Sequence, residues 1–363
     1  MERGLRFSPV VIGLAVLLTA CGGGGGGGGG GFPLVGAAPS TTPTSSDPTS
    51  TPSPETPSGP SEPTGPSGPT PGTDPDPGSP KRTTPYSYKV GSATYENREA
   101  FLAELSSPTM AGSLFFSTTG AVEGGQTVVK AVYEKKGNAT KYEHRMALAT
   151  ESRSAAGLKA QGAEGFIPTA IWVDPLKPWM EAIFSKSLDV PTKYEYVEVD
   201  DLTGKVDPEA VAPLNVLGQQ GYCKLDLTFD GKTVLSRESP TSARCTFELQ
   251  PTRSLVFREF VGQLNDQGQR GYKFAYNTST FTSTGAKYAT IFVRDESQKT
   301  TFRYEIEAST LAGLGTQQAT EEYLAVLNRH GAAGARWVTD FSEDGKSFRV
   351  FMTAYDCSGL LCN

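Results

Sequence analysis

The chain has 363 residues and a formal net charge of −6. Its composition divides it into an apolar leader to residue 21, a tract of Gly and then Pro/Ser/Thr over 22–85, and about 278 residues of ordinary globular composition from 86, enough for one large core or several small ones. Residues 1–85 hold four Lys/Arg and six Asp/Glu, so the globular part carries the remaining −4 without a basic patch, which argues against nucleic acid or an anionic membrane surface as partner.

In chain order, Arg3 and Arg6 precede an apolar run, Pro9 to Leu18, that is too short to span a bilayer as a helix. The run ends in Leu18-Thr19-Ala20-Cys21. This tetrad resembles the lipobox of bacterial lipoproteins. The resemblance implies a signal peptide over 1–20, cleavage before Cys21, and acylation of the Cys21 thiol and of the new amino group. It also implies export and a lipid-anchored place in the cell membrane, the outer membrane in a Gram-negative cell because Gly22 rather than Asp follows. Two or three acyl chains anchor firmly where one is marginal.

Gly22 to Gly31 is unbroken glycine, with maximal backbone freedom. The tract from Phe32 to Pro85 has almost no apolar residues and cannot offset its ordering entropy by burial, so it is expected to be a disordered stalk. Its prolines favour an extended chain of about 3 Å per residue, a reach on the order of 100 Å.

From residue 86 the sequence repeats itself. Leu214-Asn215-Val216-Leu217-Gly218-Gln219-Gln220-Gly221-Tyr222 is matched by Leu264 to Tyr272, Leu327 to Gly334 and Leu158 to Phe166. A degenerate copy runs from Leu105 to Gly112, with Thr109 at the first glycine position. Each motif follows apolar residues at helical spacing, such as Phe257, Phe260, Val261 and Leu264. The first glycine of each pair (Gly162, Gly218, Gly268, Gly331) suits the left-handed position past a helix end. The second (Gly165, Gly221, Gly271, Gly334) turns the chain into a strand. Asp207-Pro208-Glu209 reads as a helix start. Strands are predicted after the motifs at 222–230, 272–281 and 335–342, with second strands at 243–250, 286–295 and 347–355. Leading strands at 193–199 and 301–307 alternate apolar and polar residues. The fold class is α+β: about five tandem β-α-β-β units, over 86–138, 139–190, 191–250, 251–298 and 299–363, with antiparallel sheets and helices packed on one face. The motif and its flanking strands resemble a small bacterial domain family of unknown function with the signature LNxLGxxGWELV. Residues 193–250 match it best, with Tyr or Phe where the family has Trp. The resemblance implies a fold and no activity.

With Cys21 lipidated, Cys223, Cys245, Cys357 and Cys362 remain, an even number that suits disulfides in an exported chain. The pairs close in sequence, Cys223–Cys245 across a hairpin and Cys357–Cys362, are the expected ones. No metal site or cofactor is expected, because the cysteine spacing is wrong for zinc and no histidine lies nearby. His144 and His330 are the only histidines and read as lone surface residues. No nucleophile elbow, Ser-x-x-Lys, phosphate loop or dinucleotide fingerprint occurs. Asp200-Asp201 and Glu321-Glu322 read as solvated pairs, and Trp172, Trp179 and Trp337 as core residues before sugar platforms. The expected function is a membrane-anchored, non-catalytic binding or scaffold domain facing an envelope protein or cell-wall glycan. The alternative is an envelope hydrolase with a carboxylate-based site.

Overall fold

The structure is a computed structural model that describes residues 84–95, 97–123, 126–137, 140–173, 180–202, 204–227, 232–252, 256–283, 285–309, 316–343 and 346–362. The leader, Cys21, almost all of the stalk tract and Trp179 lie outside them.

Among the described residues, fifteen strands and six α-helices follow in order. They are β1 (Tyr86–Thr94), α1 (Arg98–Leu105), β2 (Ser113–Glu123), β3 (Gln126–Lys136), β4 (Tyr142–Leu148), α2 (Ala149–Ser152), α3 (Ala155–Ala163), β5 (Ile167–Val173) and β6 (Met180–Ser187). Then come β7 (Lys193–Val199), α4 (Ala212–Gly218), β8 (Lys224–Leu227), β9 (Thr233–Ser239), β10 (Cys245–Pro251), α5 (Phe257–Gln269), β11 (Lys273–Thr282) and β12 (Gly285–Asp295). Last are β13 (Thr301–Ser309), α6 (Gln317–Ala332), β14 (Ala335–Glu343) and β15 (Lys346–Tyr355). The fold is α+β, built of five β-α-β-β units.

Each unit forms its own three-stranded antiparallel sheet, and all five have the same order: first strand, third strand, second strand. The second and third strands make a hairpin, and the first strand pairs with the outer edge of the third. One expected strand falls in a different unit. The segment at 243–250 is not the return strand of the third unit; it is β10, the first strand of the fourth, and pairs with β12. The third unit's own return strand is β9, whose Thr233-Val234-Leu235 is buried and lies closer to the motif.

The helices do not cover their own sheets alone. Phe101 and Leu105 of α1 pack with Ala170, Trp172 and Ile183 of the second sheet. Leu158 of α3 meets Tyr196 and Val234 of the third, and Leu214 of α4 meets Phe247, Leu249 and Ile291 of the fourth. Phe260, Val261 and Leu264 of α5 meet Phe302, Tyr304 and Val350 of the fifth. Leu327 of α6 then meets Tyr86, Tyr88 and Val132 of the first. That last contact returns to the start of the described chain, so the five units close into a ring with a core at each joint. A fully buried leucine contributes roughly 1.5–3 kcal/mol, and it does so here between units. A lone three-stranded sheet whose helix serves its neighbour is marginal, which is why the repeats stand together.

Side-chain caps close the starts of α1, α3 and α6. Asn97, Ser154 and Thr316 accept from Ala100 N, Gly157 N and Ala319 N. Asp207 stands as expected before a proline, but it opens a short 3₁₀ turn, Pro208–Val211, and its side chain caps no N–H.

Candidate functional site

The motif residues come first, because the fold assigns them a task. Asn215 Oδ1 accepts from Phe247 N at 2.6 Å, and its Nδ2 donates to Phe247 O at 3.1 Å. Asn265 does the same to Tyr304 (2.8 and 2.9 Å). Asn328 does it to Tyr88 (2.8 and 3.0 Å), 240 residues away in sequence. In each case the amide imitates a strand's peptide group and satisfies the exposed edge of the next unit's first strand. The aligned residues in the first two units, Ser106 and Lys159, do not supply this amide.

The glycine pair divides its labour differently from the sequence expectation. The first glycines lie inside the helices and have ordinary negative φ; what they require is space. A Cβ on Gly218 would stand 2.1 Å from Cys245 O, and one on Gly268 2.1 Å from Phe302 O. Gly162 and Gly331 press in the same way on Tyr194 O and Tyr86 O. The left-handed residue is the second glycine: Gly165, Gly221, Gly271 and Gly334 have φ of 89°, 89°, 86° and 78°, and Gly112 has 80°. There Gly221 N donates to Gly218 O, and Tyr222 N reaches back to Leu217 O at 3.2 Å, so the helix end is satisfied and the strand begins. The aromatic that follows lies under cations: Arg237 over Tyr222, Arg294 over Tyr272, Lys186 and Arg145 over Phe166. The motif is a joint and a turn, and its residues are used up in building the ring.

What the joints leave over is a row across each sheet. Directly paired residues share a face, and the register repeats in all five units. The rows run Tyr88–Glu134–Leu114, His144–Ser185–Ile167, Tyr196–Ser236–Lys224, Phe247–Val293–Lys273 and Tyr304–Met352–Arg336. At the second-strand position the last three units therefore each place a cation. Lys273 is only 5% exposed. Burial, and then the charges of Arg336, Lys224 and Lys136, push its ammonium pKa down to about 7. Arg336 is paired with buried Glu134 at 2.7 Å, and Lys224 with Asp226 at 3.0 Å. Lys273 Nζ donates to Leu361 O at 2.6 Å, and Lys136 Nζ to Cys362 O at 3.3 Å. Both acceptors belong to the C-terminal loop, whose Leu361 and Cys362 are buried against the third and fourth units. This cluster of cations, gathered from four units around one loop, is the candidate site. Lys224, Lys273 and Arg336 each stand two or three residues past the second glycine of a motif copy, but nothing along the chain shows that these positions, about 50 or more residues apart, come together.

The four cysteines among the described residues are all bridged, Cys223–Cys245 and Cys357–Cys362. The first does not span a hairpin; Cys223 precedes β8 and Cys245 opens β10, so the bond ties the third unit to the fourth. The second closes the loop that carries Leu361.

Beside that loop is a cavity of about 180 Å³, whose lining includes Glu238, Thr241, Asp295, Gln298, Ser358 and Leu361. Burial pushes the Glu238 carboxyl pKa up. Burial also pushes Asp295 up, but hydrogen bonds from Ser297, Gln298 and the Arg244 backbone outweigh it and hold this carboxyl below the usual range.

Neither histidine is a surface residue. His144 holds the row position that the other units fill with Tyr or Phe. Its Nδ1 shares a hydrogen bond with Ser185 Oγ at 2.9 Å, and burial lowers its pKa to about 4. His330 is 8% exposed, stacked at 3.8 Å on Phe351 and bonded to Glu307 at 2.6 Å. Trp172 is fully buried and donates to Tyr95 O at 3.1 Å, and Trp337 packs edge-on against Phe116. Asp200, Asp201, Glu321 and Glu322 are exposed. Among the described residues no group of three His, Cys, Asp or Glu side chains is placed to hold a metal, and no helix is long and apolar enough to cross a membrane.

Comparison with protein-family models, curated proteins and solved structures finds no match to this chain.

Proposed function

We propose that the protein is an exported lipoprotein, anchored through Cys21, that presents the five-unit ring on a tether as a non-catalytic binding or scaffold domain for an envelope protein or cell-wall glycan. The observation that carries the reading is the order of the parts: a lipobox-like Leu18 to Cys21, a low-complexity tract, and then a ring beginning at Tyr86. Two bridged cysteine pairs within the ring support an oxidising compartment. The ring uses its repeated residues as joints, and the cations gathered around Lys273 make a cluster suited to holding a ligand. The motif's likeness to the LNxLGxxGWELV domain belongs to this proposal as its account of where the unit came from.

Metabolic labelling with radioactive palmitate in a bacterial host tests the anchor. Label is expected on the protein in the membrane fraction, and Cys21→Ser is expected to lose both label and membrane retention. A labelled Cys21→Ser variant, or an unlabelled soluble native protein, would overturn it.

A second reading, a carboxylate-based hydrolase, is favoured by one feature, the two oppositely shifted carboxyls of the cavity. Asp295 spends its oxygens on Arg244 N, Ser297 N, Ser297 Oγ and Gln298 Nε2, which leaves Glu238 as its only candidate acid. Hydrolysis of cell-wall glycan lost in Glu238→Gln would establish that reading against the first.

A further inference from the structure

An ammonium group has three N–H donors. Lys273 Nζ spends one on Leu361 O, and among the described residues no carboxylate lies within ion-pair distance of it. Its neighbours give it no relief. Glu134 is engaged by Arg336 and by Tyr88 Oη, and Asp226 by Lys224 and Ser236 Oγ. A buried cation with spare donors, set among further cations, is unfavourable unless it gives up its proton or an anion supplies what the protein does not. An apolar residue at this register position is what the first two units use, with Leu114 and Ile167. The chain therefore places charge here where its own repeat shows that none is needed for the fold. The Leu361 carbonyl already marks one oxygen position that the ammonium accepts.

We propose that the buried cation cluster drawn from the first, third, fourth and fifth units binds a small oxyanion, held by the spare donors of Lys273 and flanked by Lys224, Lys136 and Arg336 beside the C-terminal disulfide loop. The ligand class is a compact, multiply oxygenated anion such as inorganic phosphate or sulfate, or a carboxylate or phosphate group of a larger molecule. The inference rests on the reading of the ring as a binding module and not on the lipid anchor. Loss of palmitate labelling would leave it standing, and its own failure would leave the anchor untouched. Binding stabilises the protonated ammonium, so the affinity rises as pH falls towards 7. The charged groups facing Lys273 are Arg336 from β14, Lys224 from β8 and Lys136 from β3.

The test is calorimetric titration of the full exported chain with sodium sulfate at constant ionic strength, with chloride as the control. Sulfate does not titrate near neutrality and so reads the protein's proton linkage; phosphate is the second probe. Saturable binding is expected at pH 6.5, weakened at least 10-fold at pH 9, with proton uptake on binding near pH 7.5. Lys273→Met keeps the length of the stem and removes the charge, and is expected to fold and to lose at least 10-fold in affinity. Lys232→Met, at an exposed ion pair with Glu198, is expected to bind normally. Absence of saturable sulfate and phosphate binding, binding without proton uptake, or unchanged affinity in Lys273→Met would each overturn the proposal. The proton-uptake measurement needs no variant, so it decides the matter even if Lys273→Met does not fold.

Discussion

The joints of the ring are not equal, and the contrast between its two halves explains the motif. From the third unit to the fourth, the fourth to the fifth and the fifth to the first, an Asn clasps the next strand and a glycine lets the helix lie on it. The second-to-third joint keeps the glycine, Gly162, but has Lys159 in place of the Asn. The first-to-second joint keeps neither. There a 3₁₀ turn at Pro108–Met110 buries Met110, Arg98 pairs with Glu181 at 2.5 Å, and the Trp172 indole bonds to Tyr95 O. The joint position is what persists, and side chains of different chemistry fill it. A backbone edge must be satisfied and an apolar helix face covered, whichever residues do it.

The largest effect expected from breaking this pattern is at the close-contact glycines. Gly268→Ala drives a methyl into Phe302 O and is expected to destabilise by about 3 kcal/mol in denaturant unfolding. Gly262, in the same helix, has open space around the site of its missing Cβ. Gly262→Ala is expected to stabilise by about 0.5–1 kcal/mol. Stabilisation by both to the same extent would show that helix propensity, not the joint, governs α5.

A smaller effect sharpens the comparison in the other direction. Lys159→Asn installs the missing clasp opposite Tyr196, and is expected to add about 1 kcal/mol, read as a higher denaturation midpoint. A loss of stability would mean that the second joint has a geometry of its own.

A further effect is in pH. Unfolded His144 takes up a proton near 6.5, whereas the folded protein resists it down to about 4. The unfolded state therefore binds more protons between these values, and stability falls as pH drops from about 6.5 to 4. His144→Phe, the choice of the equivalent Phe247, is expected to flatten that part of the profile while leaving stability at pH 8 within about 1 kcal/mol. An unchanged slope would place the acid sensitivity elsewhere.

Much of the architecture is legible in the chain. Period-two strands such as 193–199 and 301–307, and helices ending in Gly-x-x-Gly, give the unit and its number of copies. Four things are not legible. Register between strands more than 20 residues apart decides which residues form a row, so Lys224, Lys273 and Arg336, each just past a motif's second glycine, do not read as one cluster. A helix pattern shows that one face is buried but not against which sheet, so closure through Leu327 and Tyr88 is invisible. The first glycine looks like a helix end because a close-packed and a left-handed glycine are spelled the same way. The strand at 243–250 follows a hairpin as a return strand would, and only its pairing with β12 places it in the next unit.

Closure of the ring is the central claim, and Asn328 tests it most directly. Its two hydrogen bonds to Tyr88 join the two ends of the described chain, whereas those of Asn265 to Tyr304 join sequential units. The measurement is the loss of unfolding free energy in Asn328→Ala set beside that in Asn265→Ala. If the ring is closed, both lose about 2 kcal/mol, because each leaves the same strand edge unsatisfied. A loss below about 0.5 kcal/mol in Asn328→Ala alone, typical of a surface substitution, would mean that the units form an open row and not a ring.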